Sequence, residues 1–165
     1  MKQRMIWVAM LGVALASTSA AQTKISGTLS SPNAKPDAEY SIDVGDVAGH
    51  TLGLVKYTFT YTHTMQIEGV DMKGGYLVAT GDIHGTRLLG NGYEVINMAN
   101  GDKIYLHYAG TDKEGYLEVG TWSFTGGTGK YKGIAGKGTF EQKDLAASGN
   151  TVVEMEGEYT LPAKK

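Results

Sequence analysis

The sequence predicts an all-β protein: a single antiparallel β-barrel of about eight strands, preceded by a cleaved signal peptide. Apolar and polar residues alternate along several runs, which is the pattern of half-buried strands. After the first loop, no helical spacing of apolar residues persists for three turns. Turns rich in glycine and asparagine separate the runs, and counting the runs between turns gives about eight strands, joined mostly as antiparallel neighbours.

The N-terminal segment has the features of a signal peptide. A positively charged start precedes an apolar run over residues 5–16, which is too short to span a bilayer comfortably, and small residues end at Ala21. We expect residues 1–21 to be removed and residues 22–165 to form one domain. An uncleaved anchor is the alternative, which the short run and the small-residue site disfavour. The protein is thus expected to be exported, to the periplasm or outside the cell, with no membrane span left after cleavage.

Charge and cysteine content limit the classes of partner and of stabilisation. The chain has 165 residues, with 15 Lys and Arg against 17 Asp and Glu, and two of the basic residues lie in the signal peptide. The mature part therefore has a net charge near −4, which argues against a nucleic-acid partner. Without cysteine, an exported chain depends on its core and strand ladders, and a closed barrel suits it because it has no exposed edge.

The first strand is predicted over residues 25–30, before a loop that contains Pro32 and Pro36. The clearest strand follows over residues 55–64, where two sets of side chains alternate. One face carries Val55, Tyr57, Phe59, Tyr61 and His63, and the other face carries Lys56, Thr58, Thr60, Thr62 and Thr64. Such alternation predicts a strand with one face toward the core and one toward solvent.

Three later runs alternate in the same way. Ile104, Leu106 and Tyr108 share one face of a run, and in the next run Leu117 and Val119 oppose Tyr116, Glu118 and Gly120. In the last run, apolar residues between 153 and 161 alternate with Glu154, Glu156 and Glu158. We interpret the three glutamates as a solvated outer face that also discourages edge pairing.

Five segments are predicted to be turns because glycine and asparagine adopt the positive φ of tight hairpins with little strain. They are residues 74–75, 90–92, 100–102, 126–127 and 148–150.

The most distinctive segment is the glycine corner, residues 124–136. It reads Phe-Thr-Gly-Gly-Thr-Gly-Lys-Tyr-Lys-Gly-Ile-Ala-Gly: the aromatic end of a strand, a glycine-rich turn with Tyr131, and a Gly-x-x-Gly return to the next strand. The turn glycines permit backbone angles closed to other residues, and Tyr131 is expected to plug the end of the barrel. A phosphate-binding loop is disfavoured because no Gly-Lys-Ser/Thr opens a helix here.

The glycine corner resembles the allene oxide cyclase / dirigent superfamily of calycin-like barrels. A wider layout at residues 48–51, 100–103 and 120–124 resembles small exported bacterial proteins of this barrel type. The resemblance implies the barrel fold, an interior cavity and, by analogy, a homotrimer. It implies no catalytic residue, because the chain lacks the cysteine of the cyclase branch and matches none of the acidic and arginine residues of dirigent proteins.

Two residues are weak candidates for acid–base chemistry. Asp82 and His84 lie two residues apart on one strand face, and His63 shares a face with three aromatic residues, so the three could converge on one cavity. A metal site needs three or four convergent ligands, and the sequence has no His-x-His pair, so we expect neither a metal nor a cofactor. Ordinary hydrogen-bonded histidines are the alternative.

The aromatic residues carry the main functional hypothesis, which is non-catalytic binding of a small hydrophobic or aromatic molecule. The candidate ligand-binding residues are Tyr57, Phe59, Tyr61, His63 and Trp122. A barrel of about eight strands can also fill with its own side chains, so a filled and a hollow interior both stay open.

Two other functions remain as alternatives. One is a cofactor-free cyclase or isomerase in which Asp82 and His84 move a proton. The other is a structural envelope protein that oligomerises through the flat threonine face of residues 58–64.

Overall fold

Antiparallel strands dominate the structure, a computed structural model that describes residues 21–33, 35–145 and 150–162. Residues 1–20 of the expected signal peptide and residues 148–149 of an expected turn lie outside these ranges. The described residues form ten strands: β1 (Thr23–Pro32), β2 (Ala38–Asp43), β3 (His50–Thr60), β4 (Gln66–Ile67), β5 (Val70–His84), β6 (Arg87–Met98), β7 (Lys103–Lys113), β8 (Tyr116–Gly127), β9 (Ala135–Leu145) and β10 (Asn150–Thr160). The predicted all-β class is confirmed.

The strands form one long ladder in the order β1-β10-β9-β8-β7-β6-β5-β3-β2, and β4 pairs only with β5. The ladder is not closed, because β1 and β2 lie at its two ends. One isolated bridge links β1 to the chain just beyond β3. The backbone N–H of Ser30 donates to the carbonyl of His63 at 2.9 Å, and the carbonyl of Ser30 accepts from the N–H of Thr62 at 2.7 Å.

One face of the ladder, called the core face below, holds the buried residues. Alternation along each strand produces it, as the sequence predicted: in β10, Met155 and Tyr159 are buried while Glu154 and Glu156 are exposed. Glu158 is half-buried. The interpretation of Glu154 and Glu156 as a solvated outer face is therefore confirmed.

The predicted turn at residues 100–102 is confirmed, since it joins β6 to β7 and Gly101 has a φ of +87°. The predicted turn at residues 90–92 is wrong, because these residues lie inside β6. Gly92 occurs there for packing: a Cβ added to it would lie 2.8 Å from the Cβ of Ala79 on the neighbouring strand.

The predicted turn at residues 74–75 is also wrong, because both glycines lie inside β5. The pairing register with β6 shifts between Met72 and Gly74, which marks a bulge. Gly74 has a φ of +119°, and a Cβ on it would meet the carbonyl oxygen of Phe59 at 2.3 Å. Glycine is therefore required here to bend a strand rather than to end one.

The glycine corner closes one end of the core. After β8 ends at Gly127, a single turn of 3-10 helix, Gly129–Tyr131, leads to β9. Tyr131 is fully buried, as expected of a residue packed at the end of the sheet, and its hydroxyl donates to the carbonyl of Ile67 at 3.1 Å. This bond joins the corner to β4, although Ile67 lies 64 residues earlier in the sequence.

Candidate functional site

A cavity of about 120 Å³ opens on the core face, and we call it the aromatic cavity. Aromatic side chains from several strands line it, together with one carboxyl group. These lining residues are Phe59, Tyr61, Glu94, Tyr108, Trp122 and Phe140. Strand alternation places five of them, because each belongs to the core-facing half of its strand, and Tyr61 follows directly after β3. The site is therefore an apolar pocket with a few polar groups, the usual form of a small-molecule site.

Tyr61 and Glu94 form the polar centre of the aromatic cavity. The hydroxyl of Tyr61 donates to Oε1 of Glu94 at 2.8 Å. Burial raises the pKa of Glu94 to about 7, although the bond from Tyr61 acts in the opposite direction. Burial, together with the neighbouring charge of Glu94, raises the pKa of the Tyr61 phenol well above its usual value. Near neutral pH the Tyr61 phenol therefore keeps its proton and donates the hydrogen bond, and the Glu94 carboxyl is partly protonated and partly ionised.

The charges of two carboxyl groups, Glu118 and Glu94, act on Tyr108. Burial first, and then the charges of Glu118 and Glu94, raise the pKa of its phenol. Its ring meets the ring of Phe140 edge to face, with centroids 5.8 Å apart. Tyr108 therefore connects the Tyr61–Glu94 pair with a second acidic group further along the core face.

That second group is Glu118, whose side chain is buried to all but 8%. Among the described residues, its Oε1 is the one fully buried side-chain oxygen or nitrogen that has no hydrogen-bond partner. Burial raises the pKa of its carboxyl group. A buried polar group without a partner is uncommon in folded proteins, so Glu118 needs an explanation.

A row of five glycines makes room for Glu118. Gly53, Gly81, Gly90, Gly110 and Gly120 are direct cross-strand partners, in that order, on β3, β5, β6, β7 and β8. We call this row the glycine rung. A Cβ added to Gly90 would lie 2.5 Å from Oε1 of Glu118, and one added to Gly110 would lie 2.7 Å from it. The Glu118 carboxyl thus rests against bare backbone.

Trp122 forms one wall of the aromatic cavity and is held firmly. Its indole N–H donates to the carbonyl of Thr139 at 3.0 Å, and its ring tilts against Phe124 at 4.8 Å. Glycine on the next two strands leaves space for the ring, since a Cβ on Gly138 or Gly157 would lie 2.7 Å from it.

Of the five predicted ligand-binding residues, three line the aromatic cavity and two do not. Phe59, Tyr61 and Trp122 line the aromatic cavity. Tyr57 is half-buried and shares a cross-strand row with Glu94 through Leu77. His63 is exposed, and its backbone forms the bridge to β1.

Asp82 and His84 lie on the opposite face of the sheet from the aromatic cavity. Asp82 pairs across strands with Leu52 and Leu89, which are both exposed. Its carboxylate contacts Nε2 of His50 at 3.1 Å, and the ring of His84 lies 5.1 Å from that of His50. The predicted acid–histidine pair is thus replaced by a surface cluster centred on His50.

His50 contacts two carboxylates, those of Asp46 and Asp82. A hydrogen bond of 2.6 Å joins its Nδ1 to Asp46, and that bond, with a smaller contribution from Asp82, raises the pKa of His50. Across residues 21–33, 35–145 and 150–162, no group of three or more His, Cys, Asp or Glu is arranged to hold a metal ion. No helix in the described residues is long and apolar enough to cross a membrane.

Sequence reasoning missed the two buried carboxyl groups. The pattern Glu118, Gly120, Trp122, Phe124 could have revealed one of them, because alternation puts Glu118 on the same face as Trp122. Glu94 carries the same signal, since it lies two residues before the buried Ile96 and therefore on the same face of β6.

Comparisons with known proteins give similarity in structure only. No protein-family model matches the chain. No curated protein matches it. Solved structures similar to it include the pterocarpan synthase dirigent protein GePTS1, with 12% identity and a TM-score of 0.49 over 93% of this chain and 96% of that one. The pterocarpan synthase dirigent protein PsPTS1 has 10% identity and a TM-score of 0.45 over 85% and 95%.

A pyocyanin demethylase is also similar, with 16% identity and a TM-score of 0.44 over 79% of this chain and 99% of that one. The chain is thus similar to dirigent proteins, as its glycine corner suggests. At these identities and TM-scores, the similarity carries no argument about ligand or activity, which depend on the geometry described above.

Proposed function

We propose that the protein binds a small aromatic or hydrophobic molecule in the aromatic cavity, without converting it. The observation that carries this proposal is the cavity itself, in which four aromatic rings accompany a half-buried phenol–carboxyl pair. Its volume of about 120 Å³ is comparable to the roughly 150 Å³ of an engineered apolar cavity that takes up benzene. A ligand with one six-membered ring is therefore the expected size.

The proposal includes a barrel of eight strands around the aromatic cavity, formed by β1, β3 and β5 to β10. The bridge between Ser30 and His63 supports it, because it brings the β1 end of the ladder to the chain that leaves β3. The cavity lining supports it too, because Ser31 of β1 and Tyr61 beyond β3 both contribute. In this arrangement β2 and β4 lie outside the ring of eight.

Tryptophan fluorescence tests the binding function directly. A Trp7→Phe variant of the full chain leaves Trp122 as its single tryptophan. Toluene, phenol and larger aromatic compounds should change the emission of Trp122 and raise the melting temperature if they enter the cavity. A panel that changes neither would contradict the proposal.

Two adjacent valines provide a matched pair of variants. Val153 lines the aromatic cavity, whereas Val152 is its neighbour on the opposite face of β10. Val153→Phe should fill the cavity and abolish the response to toluene. Val152→Phe should leave the response unchanged, with the melting temperature of each variant checking that it is folded.

A second candidate function is cofactor-free isomerisation or cyclisation, and the Tyr61–Glu94 pair favours it. A carboxyl group with a pKa of about 7, next to a phenol donor at 2.8 Å, is suited to moving protons at neutral pH. Glu94→Gln should then keep ligand binding and stop deuterium uptake by the bound compound from D₂O. Equal uptake by both proteins would remove this candidate.

A further inference from the structure

Glu118 is the buried carboxyl group whose oxygen lacks a hydrogen-bond partner among the described residues. Its Oε1 is fully buried and has no hydrogen-bond partner there. Burial of an ionisable group without a partner opposes folding, since the group loses its hydration and gains nothing in exchange. Violations of this kind are expected at functional or strained sites.

The surroundings of Glu118 are built to accept it. Gly90 and Gly110 of the glycine rung face the carboxyl directly, and any side chain at Gly90 would displace it. Gly53, in the same rung, has no atom closer than 3.8 Å to its added Cβ. A Cβ on Gly120 would meet the backbone of Ala109 instead, so Glu118 crowds the rung at Gly90 and Gly110, and the rung is open at Gly53.

Glu118 also borders the aromatic cavity. It is the direct cross-strand partner of Gln142, and Gln142 lines the cavity. The charge of Glu118 contributes to the raised pKa of Tyr108, which is another lining residue. Phe140 and Met155, which continue the row of the glycine rung onto β9 and β10, line the cavity as well. Glu118 thus adjoins the cavity lining on the core face, with its unpartnered oxygen against Gly90 and Gly110.

The charges around the cavity are of one sign. Glu94 lines it and Glu118 borders it, whereas none of the described residues that line it is Lys, Arg or His. A carboxylate ligand would meet two acidic groups and no cation. A ligand with a protonated nitrogen would meet an oxygen that lacks a donor, and aromatic faces that attract cations.

We propose that the aromatic cavity takes a small organic cation, a single aromatic ring that carries an ammonium or amidinium group, and that Glu118 accepts the N–H donors of this group. This inference rests on the proposed binding function and narrows it to one class of ligand. The ring occupies the space between Tyr108, Trp122 and Phe140, and the cationic nitrogen reaches the glycine rung. Glu94, already bonded to Tyr61, is not the primary anchor.

Three probes of the same size test the proposal on the full chain: benzylamine as the cation, benzyl alcohol as the neutral analogue, and benzoate as the anion. Calorimetry and Trp122 fluorescence in the Trp7→Phe background measure each affinity. We expect the cation to bind at least about tenfold more tightly than the alcohol, because a charge-assisted hydrogen bond in a dry site has this strength. We expect benzoate to bind most weakly.

Glu118→Gln should lower the affinity for benzylamine by at least about tenfold and change that for benzyl alcohol by less than about twofold. Gly90→Ala should reproduce the loss by displacing the carboxyl, and Gly53→Ala, in the same rung with free space, should not. Should Gly90→Ala fail to fold, Glu118→Gln and the three probes still decide the question.

The outcomes separate this inference from the function on which it rests. If the cation and the alcohol bind equally and Glu118→Gln changes neither, the inference is overturned and the binding function stands. If benzoate binds most tightly, the inference is likewise overturned. If none of the three probes binds, the inference is overturned, and the response to toluene and phenol decides whether the binding function stands.

Discussion

The hydroxyl of Tyr61 donates a hydrogen bond of 2.8 Å to the carboxyl of Glu94 inside the aromatic cavity. Tyr61 follows β3 and Glu94 lies in β6, so the bond joins two segments that β5 separates in the ladder. The pair places a titrating group among aromatic rings, where the protein can respond both to pH and to a ligand.

Stability should fall as the pH rises through the range in which Glu94 titrates. The pKa of Glu94 is about 7 in the folded protein and 4.5 for the unperturbed group. Between these values the folded state binds more protons than the unfolded state, so the contribution is full below about 4.5 and is lost as the pH rises through about 7. Each pKa unit corresponds to about 1.4 kcal/mol. Urea unfolding between pH 4 and 8 measures the slope.

Other groups contribute to the same slope, because burial also raises the pKa of Glu118 and hydrogen bonding raises that of His50. Glu94→Gln isolates the part that belongs to Glu94, and it should flatten the profile. Glu154→Gln, on the exposed face of β10, is the control and should leave the profile unchanged. An identical slope in the wild type and Glu94→Gln would show that Glu94 is not the group concerned.

Replacement of Glu118 by leucine should stabilise the ligand-free protein. The substitution removes a buried carboxyl that has no partner among the described residues and keeps a side chain of similar volume. Relief of that desolvation should raise the free energy of unfolding by about 1–3 kcal/mol. Glu156→Leu, on the exposed face of β10, should change it by no more than about 0.5 kcal/mol. A less stable Glu118→Leu protein would show that the carboxyl has a structural partner.

The buried phenol of Tyr131 should stabilise the glycine corner through one hydrogen bond. Tyr131→Phe keeps the ring and removes the donor to the carbonyl of Ile67, which should lower the free energy of unfolding by about 1 kcal/mol. Tyr131→Ala should lower it by about 3–5 kcal/mol, because a cavity replaces the ring. Tyr40→Phe is the control, since Tyr40 is 68% exposed. Equal stability of Tyr131→Phe and the wild type would mean that the bond adds nothing.

The bulge at Gly74 should tolerate no side chain. Gly74→Ala combines a φ of +119° with a Cβ that overlaps the backbone of Phe59, so we expect it to be less stable than the wild type by more than about 2 kcal/mol. Gly53→Ala lies in an ordinary strand conformation with free space and should change stability by less than about 1 kcal/mol. Thermal unfolding compares the two, and similar melting temperatures would contradict the bulge.

Local patterns predicted most of the fold. Alternation identified the strand that contains Phe59 and the buried side of β10, because a strand turns successive side chains to opposite faces wherever it lies. Turn prediction at Gly101 succeeded for a local reason, the positive φ of a tight hairpin. It failed at Gly74 and Gly90, because glycine is needed there to avoid overlap between a Cβ and atoms on neighbouring strands.

The sequence by itself determined the strand class, the faces of the clearest strands and the buried tyrosine of the glycine corner, since these follow from residue types a few positions apart. Only the tertiary structure decided the site. Strand order and register bring Tyr61 to Glu94, take Asp82 to the surface beside His50, and set Glu118 against the glycine rung. Register depends on the summed packing of all the strands, and a shift of one residue would turn each of these side chains to the other face.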